Sequence, residues 1–185
     1  MKCSTSTAEC TWVDGNRTGR TSLAMTPNTT HGTAEERLRG LGIDLPNPPV
    51  PLGAYVEAVQ TGSLLFLSGA LPLEEGSAKF MGRIGGDLST EDGRRATHLA
   101  TLNALAAARA HLGSLDRVTR VVRLTVSLVA TPEFTGHPRV ADAASELLAT
   151  VFGADRTSTR MIYGVASLPV GVCVVVELTL EVGNN

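Results

Sequence analysis

The chain has 185 residues and a net charge of −2, with 16 Lys and Arg against 18 Asp and Glu, which suits one domain plus a tail and leaves no basic footprint for nucleic acid. No apolar run approaches the roughly 18 residues that a membrane-spanning helix needs, and no apolar leader core opens the chain. Cys3, Cys10 and Cys173 follow neither a zinc-binding nor a disulfide-framework spacing. These features predict a cytoplasmic protein with no metal or other cofactor, no nucleic-acid partner and no membrane partner.

Residues 1–31 hold eleven Ser or Thr and no periodic apolar pattern. Such a segment buries too little surface to offset its ordering entropy, which predicts a disordered tail over 1–31 and a folded domain over 32–185. Met25 offers a second translation start, which would exclude the residues before it. Order begins at T-A-E-E, a capping box with Thr33 as N-cap and Glu36 three residues on. The helix predicted there runs from Ala34 to Leu41 and stops at Gly42. Pro46 to Pro51 then form an extended connector.

Ala54–Gln60 and Leu64–Ser68 read as strands around a T-G-S turn at Gly62, with Tyr55 opening the first. A Gly-rich stretch from Leu73 to Gly86 follows, with a short strand predicted near Lys79 to Ile84. Ser89 then caps a long Ala- and Leu-rich helix, with Glu91 and Asp92 in its first turn and Gly113 at its end. Leu99, Leu102, Leu105 and Ala106 give one side of that helix its bulk, and its many alanines allow close approach to a sheet. His98 and His111 stand alone, with no Ser, Cys or acid at a spacing useful for nucleophilic catalysis.

Arg117–Ala130 alternates as a strand, with Val122, Leu124, Val126 and Leu128 on one face and Arg123, Thr125 and Ser127 on the other. Thr131–Pro138 is a loop, and a helix over about Val140–Phe152 ends at Gly153. Thr159 to Glu181 reads as two apolar strands joined by a Leu-Pro-x-Gly connection, with Cys173 as a small core residue in the second. The whole order, β-β-(β)-α-β-α-β-β, is that of an α+β domain: a mixed β-sheet with two main helices packed on one face.

Arg160 is the most informative single residue. A guanidinium stays charged and carries five donors in a fixed fork suited to a carboxylate, and burying it unpartnered is costly. Arg160 therefore either pairs with an acidic side chain or waits at a pocket mouth for an anionic ligand.

Four segments in order, G-A-Y-V-E-A-V (53–59), L-F-L-S-G-A-L-P (65–72), V-V-R-L-T-V (121–126) and R-M-I-Y-G-V-A-S-L-P (160–169), resemble the reactive-intermediate deaminase family (RidA or YjgF, also described as L-PSP endoribonucleases), in its chorismate-mutase-like subgroup. The resemblance spans residues 33–182. It implies a homotrimer with three clefts between subunits that binds a small carboxylate metabolite. It further implies that Arg160 grips the substrate carboxylate, that Tyr55 lines the cleft, and that Ser68, Gly69 and Ile162 supply backbone donors. Active members hydrolyse 2-iminoacids or their enamine tautomers to 2-ketoacids and ammonia.

That chemistry needs a carboxylate anchor, a held water and an acid that orients the water and moves its proton. Active members place this glutamate fifteen residues after the arginine, where this chain has Val175. Glu177 lies two residues on, on the same face of the strand but about 6.5–7 Å further along; it is the candidate catalytic acid, or else a structural partner in a strand or subunit contact. The asparagine of the family's second helix is also absent, with Asp142 or Ser145 nearest its place. Two other classes fit the residues: a non-catalytic trimer that binds a carboxylate metabolite, and a pericyclic enzyme of chorismate-mutase type, which needs electrostatic clamping and no base. Ribonuclease action has no histidine pair and no basic groove to rest on, and the chain has only seven aromatics (Phe 4, Trp 1, Tyr 2).

Overall fold

The computed structural model of the protein describes residues 32–183, so the tail expected over 1–31 lies outside the described residues. Helix α1, Ala34–Gly40, starts on the expected reciprocal cap: the Thr33 hydroxyl accepts from the Glu36 N–H at 3.3 Å, and the Glu36 carboxylate accepts from the Thr33 N–H at 2.9 Å. Helix α2, Thr90–Leu112, uses the same device with Ser89 and Asp92. Hydrogen bonds from the Ser89 side chain and backbone, then from Arg95, hold the Asp92 carboxyl down at about 2.

Small residues carry the buried stripe of α2. Gly93, Ala96, Ala100, Ala104 and Ala108 are buried with Leu105, whereas Leu99 and Leu102 are only half-buried. Side chains of this size let the helix axis approach the sheet closely. The buried Thr97 and Thr101 hydroxyls bond back to the carbonyls of Gly93 and Thr97, at 2.9 and 2.7 Å, so neither is left unsatisfied.

The main sheet contains β1 (Ala58–Thr61), β2 (Leu64–Leu67), β5 (Val118–Leu128), β6 (Thr159–Gly164) and β7 (Val174–Val182), in the order β1-β2-β7-β5-β6. Two short strands, β3 (Leu73–Glu74) and β4 (Ser77–Ala78), pair separately. In place of the strand expected near Lys79 to Ile84, only isolated bridges at Met81 and Ile84 form. Helix α3, His137–Phe152, begins earlier than the expected Val140, with Pro138 in its first turn, where a missing N–H costs nothing.

Among the described strands only β5 and β6 pair in parallel, joined by α3. The connection from β2 to β5 through α2 likewise passes over β7, which fills the slot between them. Strands β6 and β7 follow each other in sequence yet never pair, because β5 separates them. Both long helices cover the same face, giving the expected α+β arrangement.

On β5 the strict alternation fails at one end. Val118, Val121, Leu124, Val126 and Leu128 are buried, while Val122 is only half-buried. A register shift against β7 between Val121 and Arg123 adds one residue and reverses the side-chain parity. Leu124 is fully buried, in the core cluster that includes Leu105, Val140 and Leu178. Leu124→Ala is expected to lower stability by about 2–5 kcal/mol through lost burial and a residual cavity, read as the shift in a urea unfolding curve.

The sheet face away from the helices is open. Val59, Phe66, Met161 and Tyr163 are exposed by 52, 44, 42 and 45%. The strand registers set Val59 opposite Phe66, Phe66 opposite Thr179, Thr125 between Glu177 and Met161, and Ser127 between Val175 and Tyr163.

Candidate functional site

Arg160 lies on β6, the edge strand, opposite the buried Leu124, so its side chain starts toward the helix layer. There α3 meets it. Asp142 and Ser145 stand three residues apart, on one face of that helix, and Arg160 Nη1 donates to Asp142 Oδ1 at 2.7 Å and to Ser145 Oγ at 3.1 Å. Both charged side chains stay partly in solvent, 28% for Arg160 and 44% for Asp142. Among the described residues, Arg160 Nε and Nη2 and Asp142 Oδ2 have no hydrogen-bond partner. Arg160 thus pairs with an acid and still offers the other edge of its fork. Ile162, two residues on and opposite Val126, is half-buried on the same strand.

A second group gathers at the other side of the sheet. Tyr55 does not open β1, which starts only at Ala58. Its N–H bonds the Gly53 carbonyl at 2.9 Å, and its hydroxyl accepts from the Leu52 N–H at 3.3 Å, so a local turn replaces the extended backbone expected from residue 54. Glu57, two residues on, is half-buried; burial pushes its carboxyl up, against a hydrogen bond from Tyr55 that pulls it down. Ser68 is occupied as a donor: its N–H goes to the Glu57 carbonyl at 2.9 Å and its hydroxyl to the Val56 carbonyl at 2.7 Å. The Gly69 N–H has no partner among the described residues.

Glycine at position 69 is a packing requirement. A Cβ there would stand 2.7 Å from Val175 Cγ1, well inside van der Waals contact. Phe66 pairs with Thr179 and Ala70 with Val176, so Leu67, Ser68 and Gly69 oppose only Glu177 and Leu178. This extra residue bends the chain and brings Gly69 onto Val175. Two long polar side chains brace the neighbouring loops. Buried Asn103 of α2 donates to the Leu71 and Leu73 carbonyls, both at 2.9 Å, behind the S-G-A-L-P turn. Arg83 donates to the Ala130 and Ala166 carbonyls, both at 3.2 Å, and so ties down the V-A-S loop that follows β6.

Within one chain the structure brings Gly69 against Val175 and ties Ser68 to Val56 and Glu57, the residues that follow Tyr55, with exposed Glu177 on the open face opposite Thr125. Arg160 and Ile162 are elsewhere. Neighbouring strands lie about 4.8 Å apart, so β1 and β6 are roughly 19 Å from each other, and Glu177 is about 10 Å from the Arg160 strand and on the opposite face. Sequence reasoning passed over Glu57; its signal was an acid two residues after Tyr55, on the same side of an extended chain. A groove of about 510 Å³ on the outer side of α2 and α3 is lined by Arg94, His98, Glu146 and neighbours and includes none of these residues. Among the described residues no group of His, Cys, Asp and Glu could hold a metal ion, and no helix is long and apolar enough to cross a membrane.

Residues 35–182 match the family described as "YjgF/chorismate mutase-like, putative endoribonuclease". Protein TCP17 of Trypanosoma cruzi is 37% identical over 154 residues, which cover 83% of this chain and 96% of that protein. The crystal structure of a "putative endoribonuclease" from Shewanella oneidensis MR-1 is 34% identical, with a TM-score of 0.79 over 82% of this chain and all of that one. That of Atu1372 from Agrobacterium tumefaciens is 35% identical, with a TM-score of 0.74 over 82% of this chain and 94% of its own.

Proposed function

The chain belongs to the YjgF/chorismate mutase-like (RidA) family, and from that premise we propose that it forms a cytoplasmic homotrimer whose clefts between subunits bind small 2-imino or 2-keto carboxylates. The observation that carries this reading is the half-used fork of Arg160: one nitrogen is held by Asp142 and Ser145, and two remain free on a partly exposed side chain. Such a fork holds a planar carboxylate in a defined orientation. The separation of the two residue groups supports a shared site. The Tyr55, Ser68 and Gly69 group of one copy is able to meet Arg160 only when that residue comes from a neighbour. The apolar residues on the open sheet face support burial against other copies, since an uncovered apolar surface invites association. Light scattering at micromolar concentration is expected to give three times the chain mass; a monomer mass would sink both the trimer and the shared cleft.

The reaction in this reading is R–C(=NH₂⁺)–COO⁻ + H₂O → R–C(=O)–COO⁻ + NH₄⁺. Water adds to C2, the proton passes to nitrogen, and the C–N bond breaks as ammonia leaves. Arg160 holds the carboxylate, and the free Gly69 N–H is a donor for the oxygen that forms at C2.

Val175 favours a second reading, a carboxylate-binding trimer without turnover. At the position of the family's acid this chain has an aliphatic side chain packed onto Gly69, with no group there to orient a water. Two assays separate the readings: ammonia release from 2-aminoacrylate, and calorimetric titration with pyruvate. Saturable pyruvate binding with ammonia release no faster than in buffer selects the binding protein; release well above buffer selects the hydrolase.

A further inference from the structure

Beside the free edge of the Arg160 fork stands a free carboxylate oxygen. Asp142 engages Arg160 through Oδ1 alone, at 2.7 Å, and its Oδ2 has no partner among the described residues. The cation and the anion are therefore presented side by side, both partly in solvent. A simple anion gains from Arg160 but meets the like charge of Asp142. A ligand with its own cation next to its carboxylate gains from both. We infer that Asp142 is a specificity-determining residue, selecting carboxylates with an ammonium or iminium nitrogen at C2 over 2-ketoacids.

The chemistry follows from the sizes involved. In a 2-amino or 2-iminium acid, one carbon separates the charged nitrogen from the carboxylate carbon. With that carboxylate on Nε and Nη2 of Arg160, the nitrogen can turn toward Oδ2 of Asp142 and donate a charge-assisted hydrogen bond. Ser145, on Nη1 at 3.1 Å, leaves that nitrogen fewer directions in which to swing. A 2-ketoacid carries an acceptor at C2 and sets it against the carboxylate. Hydrolysis would thus remove the group that Asp142 recognises, and the product would leave more readily than the substrate.

This inference rests on the reading of Arg160 as a carboxylate anchor, and the test keeps the two apart. L-alanine and pyruvate share three carbons and a carboxylate and differ only at C2. Their dissociation constants are measured by titration against the full chain and the variants Asp142→Asn, Asp142→Glu and Arg160→Ala. The wild type is expected to bind alanine about tenfold more tightly than pyruvate, the size of one charge-assisted hydrogen bond in a partly exposed site. Asp142→Asn should weaken alanine about tenfold and tighten pyruvate, reversing the order. Asp142→Glu keeps the charge and should keep the order. Should Asp142→Asn fail to fold, judged by its melting curve, Asp142→Ala is read in its place with the same reversal expected. An alanine-to-pyruvate ratio unmoved by loss of the Asp142 charge, with pyruvate binding lost in Arg160→Ala, overturns the role of Asp142 and leaves the anchor standing. A wild type that binds neither ligand overturns both.

Discussion

Arg160→Ala should abolish binding of small carboxylates while leaving the fold nearly as stable as before. The loss expected is about 2–5 kcal/mol of binding free energy, the range for removing one partner of a hydrogen-bonded charge pair. Each 1.4 kcal/mol is about tenfold in affinity, so a pyruvate isotherm should flatten at any practical concentration. Stability should change by no more than about 1 kcal/mol, because Asp142 is 44% exposed and water replaces its lost partner. Arg160→Lys should recover only part of the affinity: a point charge can keep the contact with Asp142 but cannot also present two parallel donors. Calorimetric titration and a urea curve on the same preparations give both numbers. Unchanged affinity in the alanine variant, with a clear drop in stability, would make the contact with Asp142 and Ser145 structural.

Val175→Glu should raise imine turnover from a slow or absent wild-type level. A positioned acid or base contributes on the order of 10²–10⁴ in rate, and the substitution returns a carboxylate to the position active family members use. The gain has a cost. Val175 is half-buried and touches Gly69, so the new side chain must rotate away from that contact and reach water or a neighbouring copy. Ammonia release is compared at equal folded concentration in wild type, Val175→Glu, Glu177→Gln and Glu57→Gln. A slow wild type improved by Val175→Glu supports binding without efficient turnover. A fast wild type lost on Glu177→Gln assigns the acid to Glu177, and one lost on Glu57→Gln assigns it to the carboxyl beside Tyr55. A fast wild type insensitive to all three would show that no carboxylate at these positions matters.

Local signals in the sequence had local causes, and these were legible. T-A-E-E makes the reciprocal cap read from it, and Ser89 caps α2 as expected, with Asp92 of its first turn completing a second reciprocal cap. Gly62, with φ +57°, turns β1 into β2, and Gly113 and Gly153 end the two long helices at positive φ. The alternation and order of the segments were enough for an α+β domain with a mixed sheet and helices on one face, and four motifs in order were enough for the family. Each of these depends on backbone geometry or side-chain parity over a few residues.

What the sequence left open depends on groups far apart along the chain. No local rule places the extra residue opposite β7 that turns Val122 away from the core; that is set by how two strands whose partners lie 46 to 64 positions apart slide into register. Alanines became the core stripe of α2 because the sheet lies close beneath them. Tyr55 left the strand because a hydroxyl and an amide found nearer partners. Arg160 posed a choice between an acid and a ligand. Packing of α3 across β6 answered with an acid eighteen residues earlier in the chain, and left part of the fork uncovered. Strand order puts β1, just after Tyr55, and β6, which carries Arg160, at opposite edges of the sheet, so the two residues of one chain stand far apart. A charge in an apolar strand shows that a partner is needed; only the tertiary structure decides which partner comes within 3 Å and which donors remain.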